Sequence, residues 1–87
     1  MKNLEPIQEI TKTKVCSFSN GECETYPEGA LLRFKEAGDV VVIYVNDGSQ
    51  VTLTVGDNDL NRWHNDRVIK IIESGTTITA SNILIGA

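Results

Sequence analysis

Residues 40 to 55 read VVVIYVNDGSQVTLTV. Asp47-Gly48 stands between two β-branched runs, and that dipeptide supplies the positive φ angles that a two-residue hairpin turn of the primed type requires. Folding about it places Tyr44 opposite Val51, Val42 opposite Leu53 and Val40 opposite Val55, so these six side chains share one face. The other face carries Val41, Ile43 and Val45 opposite Thr54, Thr52 and Gln50. The second strand therefore alternates, while the first is apolar on both sides. A strand apolar on both sides is covered on both sides. Val40 to Val45 is expected to be the central strand, with its second face covered by another layer of the chain or by a second copy.

Working outward on the N-terminal side, residues 15 to 26 read VCSFSNGECETY, with Asn20-Gly21 as a second primed-turn signal. The register pairs Phe18 with Cys23 and Cys16 with Thr25. Cys16 and Cys23 then share a face diagonally, about 7 to 8 Å apart, too far for an unstrained disulfide unless the loop changes by one step. Two reduced, partly buried thiols are expected. Pro27-Glu28-Gly29 breaks the chain, and Ala30 to Lys35 resumes as a strand with Leu32 and Phe34 on one face. A tight turn at Ala37-Gly38 would bring Leu32 and Phe34 beside Ile43 and Val41, and would set Glu36 opposite Asp39, an unfavourable pair.

On the C-terminal side, Gly56 to Asp66 is a polar interruption in which Asp57 or Asp59 can cap a short helix or helical turn near 58–65. Arg67 to Glu73 reads better as a strand than as a continuation of that helix, because its β-branched residues fit a pleated surface. Ser74-Gly75 predicts a third hairpin, with Ile71 facing Ile78 and Ile69 facing Ala80. Ile83, Leu84 and Ile85 form a last apolar run that must be docked. Residues 1–14, with Pro6, read as an N-terminal arm or edge strand, and 15–87 as a single β domain. The expected fold is mainly β, a small antiparallel sandwich or barrel of hairpins with six to eight short strands.

The chain has 87 residues, enough for one domain with a modest core. A hydrophobic fraction of 40% with 23% charged residues suits a globular protein and argues against disorder. The formal charge of −4, with scattered Lys and Arg, argues against direct nucleic-acid binding. Glu22, Glu24 and Glu28 are too sparse to imitate a phosphate backbone. The N-terminal residues show no continuous apolar core of a signal peptide, and no segment approaches the roughly 18 apolar residues of a membrane span. A cytoplasmic protein, or one assembled into a particle made there, is expected.

Candidates for chemistry are few. His64 is the only histidine, and no nucleophile elbow or glycine-rich turn directs Cys16 or Cys23 toward it. Asp57-x-Asp59-x-Asn61 opens like a calcium loop, but Arg62 stands where that loop needs Gly, and Val68 where it needs Glu. No enzyme activity, metal or cofactor is expected. Trp63, flanked by Arg62 and His64, has the composition of an interface anchor, although core packing would also account for it. The candidate interface residues are Val41, Ile43, Val45, Arg62, Trp63 and His64. The leading expectation is a non-enzymatic structural or protein-interaction module, a homo-oligomer that also contacts another protein, suited to a larger assembly such as a viral particle. A soluble inhibitor or regulator acting through an acidic surface and Trp63 is the second reading. A small-molecule-binding barrel lined by Tyr26, Tyr44 and Trp63 is the third.

Overall fold

The computed structural model describes residues 10–87. Most of the arm expected over residues 1–14 therefore lies outside the described residues. Seven strands follow in order: β1 (Thr13–Val15), β2 (Glu22–Glu24), β3 (Leu31–Phe34), β4 (Gly38–Tyr44), β5 (Gln50–Val55), β6 (Val68–Ile72) and β7 (Ile83–Gly86). A 3-10 turn at Asp57–Asp59 falls where the helical turn is expected, and another at Ala80–Asn82 precedes β7. The strands form two antiparallel sheets, one in the order β1-β7-β3 and one in the order β2-β6-β4-β5. Among the described residues, no helix is long and apolar enough to cross a membrane.

The two sheets face each other across one apolar core. Val40, Val42 and Ile71 of the larger sheet and Leu32, Phe34, Ile83 and Ile85 of the smaller one are all sealed from solvent. Phe34 is the largest of these fully buried side chains. The faces read from the hairpin pattern hold: Val40 and Val42 point inward, while Thr52 and Thr54 are exposed.

The register of the β4–β5 hairpin differs from the expected one by two residues. Val42 pairs with Val51 and Val40 with Leu53. Tyr44 N–H donates to Ser49 O at 3.0 Å, closing a four-residue loop in which Gly48 alone has a positive φ, at 72°. The loop's own hydrogen bonds hold it open: Gly48 N–H donates to Tyr44 O and Ser49 N–H to Asp47 Oδ1, each at 3.0 Å, so Val45 stays in the loop instead of pairing with Gln50. A shift of two residues leaves every side chain on its original face.

Two further pairings are corrected. β3 does not lie beside β4 but joins β7 in the opposite sheet, with Leu32 opposite Ile85 and Phe34 opposite Ile83. The neighbours of β4 are β5 and β6. The third hairpin does not form either: after β6 the chain turns at Gly75, and Thr77 and Ile78 both donate to Asp39 O at the start of β4. The chain then crosses to the smaller sheet. The expected Glu36–Asp39 clash is absent for the same reason. Glu36 instead accepts Thr79 N–H at 2.7 Å and Asn82 Nδ2 at 2.9 Å, tying the β3–β4 connection to the segment that leads into β7.

The Asn82 and Thr79 hydrogen bonds hold the Glu36 carboxyl below its ordinary 4.5. Because the folded value is lower than the unfolded one, this tie is present above pH 4.5 and is lost as pH falls through the folded value. Thermal melts from about pH 5 down to pH 3 are expected to show a smaller drop in Tm for Glu36→Gln than for the parent protein.

Candidate functional site

The outer face of the larger sheet carries the first three interface candidates. Val41 is only 5% exposed, and its cover comes from its own chain. The Thr76 hydroxyl accepts Val41 N–H at 3.0 Å and donates to Ile72 O at 2.6 Å, bridging the end of the β4–β6 ladder. The adjoining turn is so close that a Cβ on Gly75 would stand 3.0 Å from Val41 Cγ2. Val45 packs against Gly29 and Arg67. Ile43 is half-buried at a surface groove of about 420 Å³ shared with Tyr26, Pro27 and Ile69. Polar groups complete this face, including the Lys70–Glu22 ion pair at 2.7 Å. The apolar part is one narrow stripe, and it does not by itself require a second copy.

Arg62, Trp63 and His64 lie elsewhere. Asn61 N–H donates to Phe34 O and His64 N–H to Leu32 O, each at 2.9 Å, so this segment covers the free edge of β3. Trp63 lies over Gly86 together with Ile10, on the outside of the smaller sheet. His64 turns the other way: its ring meets Phe34 edge-on at 5.1 Å, and its Nε2 lies 3.3 Å from Asp59 O. Arg62 is exposed and paired with Asp59 at 3.0 Å. The six candidates are therefore scattered, with Val41, Ile43 and Val45 by the outer side of the larger sheet, Trp63 outside the smaller one, and Arg62 and His64 along the edge of β3. They do not form one patch.

The same geometry separates the other proposed sets. Trp63 sits outside the smaller sheet, while Tyr26 and Tyr44 pack against the core, so the three aromatics do not line a common cavity. The ring of Tyr26 also carries two cations, Lys12 Nζ at 4.5 Å and Lys14 Nζ at 4.7 Å from its centroid. The Asp59 carboxylate accepts Gly56 N–H at 3.1 Å and pairs with Arg62, so it acts as a cap. Cys16 and Cys23 are free thiols buried in the core. Cys23, Glu73 and Lys14 bear on the Cys16 thiol, whereas the His64 ring is engaged with Phe34 and Asp59 O.

One surface escaped the sequence reading: the outer edge of β5. β5 is the last strand of the larger sheet, and among the described residues the outward backbone groups of Gln50–Val55 have no partner. Which groups these are follows from β4. Tyr44 N–H points to β5 and Val41 N–H points away toward Thr76, so the residues pairing with Val40 and Val42, namely Leu53 and Val51, turn their hydrogen bonds inward. Gln50, Thr52 and Thr54 present theirs to solvent. Comparison with protein-family models, curated proteins and solved structures finds no match to this chain.

Two substitutions test how this chain covers itself. A Cβ on Gly86 would stand 2.6 Å from Trp63 Cη2, so Gly86→Ala is expected to destabilise by about 1 to 3 kcal/mol through overpacking. It is also expected to shift the emission of the single tryptophan. Thr76→Val keeps the shape but strands Val41 N–H and Ile72 O, and a loss of about 1 to 3 kcal/mol is expected in urea melts.

Proposed function

We propose that this chain is a non-enzymatic interaction module that associates with itself through the edge of β5. The observation that carries the reading is the composition of that edge. Gln50–Val55 contains no charged residue, proline or bulge, the devices by which sheet edges are normally kept from pairing. The other edges are guarded. β2 is three residues long with Glu22 and Glu24, β1 is as short and carries Lys14, and the free edge of β3 is covered by residues 61–64.

The edge is also self-complementary. Antiparallel pairing of two β5 strands about Thr52 sets Thr52 opposite its own copy, Val51 opposite Leu53 and Gln50 opposite Thr54, so like faces meet like. In this register the solvent-facing N–H and C=O groups of Gln50, Thr52 and Thr54 satisfy one another. Val51 and Leu53, both half-buried, are covered further in the same step. The product is a two-fold dimer with one continuous sheet across both copies. The non-enzymatic part of the reading is supported by the commitments of the reactive side chains: His64 packs on Phe34, and both thiols are buried.

Sedimentation at micromolar concentration is expected to show a dimer that dissociates on dilution. Thr52→Pro removes an N–H that points to solvent, leaves the β4–β5 ladder intact, and is expected to yield a folded monomer. Thr52→Lys, which sets like charges opposite each other at the centre of the pair, is expected to do the same. A parent protein that stays monomeric would refute the reading, as would folded Thr52 variants that remain dimeric.

A further inference from the structure

The corner between β1 and β2 holds a group that the proposed association does not use. Asn20 and Gly21 have φ angles of 56° and 84°, and Ser19 bridges to Glu22, so the tight turn expected from the sequence is present. The two arms do not continue as a hairpin. Cys16 N–H donates to Ile83 O in the smaller sheet, while Cys23 pairs with Ile71 in the larger one. The arms splay, and the chain passes from one sheet to the other. Both cysteine side chains lie in the core between the sheets, and Cys23 is the side chain that bears most directly on the Cys16 thiol. The Cys23 thiol is placed to donate to Glu24 O at 3.8 Å. Cys23 is buried, but it lies in the wall of an open groove of about 590 Å³ between Lys14, Ser17, Asn20 and Glu22, so a small local opening of this corner brings a reagent to its side of the pair.

We infer that Cys16 and Cys23 are a redox-sensitive pair, which a small-molecule disulfide such as oxidised glutathione converts into an intramolecular bridge pinning the two sheets together at this corner. The Cys23 thiolate attacks one sulfur of the oxidant, forming a mixed disulfide and releasing one glutathione thiolate. The Cys16 thiolate then attacks the Cys23 sulfur and releases the second. Two electrons pass from the protein thiols to the oxidant, and the two protons they lose end on the released thiolates. Burial, then the neighbouring Cys23 and the Glu73 carboxylate, push the Cys16 thiol up to about 12 against the opposing influence of Lys14. In the mixed disulfide Cys23 no longer opposes that thiolate, but burial and Glu73 still do, so the second step is slow at neutral pH. Its rate is expected to rise roughly tenfold per pH unit through the mildly alkaline range, because only the thiolate attacks.

The test is to incubate the folded protein with oxidised glutathione, quench with N-ethylmaleimide, and read the intact mass, the linked peptides and the melting temperature. The expected product has lost two hydrogens, carries no maleimide, gives a peptide joining Cys16 to Cys23 within one chain, and melts roughly 10 °C higher. Cys16→Ser is expected to stop at the glutathione adduct on Cys23. Three results would overturn the inference: a parent protein that also stops at that adduct, a bridge between two chains, or two thiols that stay unmodified in the folded protein while the unfolded chain reacts. A parent protein that forms the bridge without any rise in melting temperature would refute the pinning role. The measurement is made on the parent chain, so it does not depend on whether β5 pairs with a second copy.

Discussion

The smaller sheet exists only because β7 runs down its middle. β1 and β3 never touch as partners; each is hydrogen-bonded to β7, whose Ile83 and Ile85 lie fully buried against the larger sheet. Remove that strand and two short segments are left without ladders, while Phe34 and Leu32 lose the surface they pack beside. Several connections that look local in sequence are governed by this constraint. The segment after β6 crosses the core to deliver β7, the Glu36 carboxylate fastens that crossing, and the Asn61–His64 stretch closes the edge of β3 that β7 leaves free.

The faces of the strands were legible in the sequence, but their partners were not. Alternation is a local property, so Val40 and Val42 turn inward even though the loop at Asp47-Gly48 is longer than the dipeptide implies. β6 forms at Val68–Ile72 because its β-branched residues outweigh the helical spacing of Val68, Ile71 and Ile72. Partner choice depends on distant residues. Leu32 and Phe34 look like neighbours of Val41 and Ile43 until Ile83 and Ile85 are counted, and Ile78 looks like a partner of Ile71 until its N–H is seen to reach Asp39.

The candidate site suffered from the same gap. Trp63 stands out by its flanking residues and Val41 by the two-sided apolar pattern of its strand, yet the strand order puts them on opposite sides of the molecule, and each is largely engaged by its own chain. The edge of β5 carried a readable signal in the absence of charge from Gln50 to Val55. That signal has meaning only once the strand is known to be last in its sheet. Position in the sheet, more than residue type, decides which backbone groups a strand leaves open.

Among the described residues, the β4–β5 hairpin is the one ladder whose strands are joined by a short loop; the others bring together segments far apart along the chain. During synthesis, residues 38–55 can emerge and pair before β6 and β7 have left the ribosome. For that interval Val41 and Ile43 have neither the Gly75 turn nor Lys70 beside them, and the nascent ribbon is open along both of its long sides. The residues that later give the sandwich its centre are then open to water on both faces.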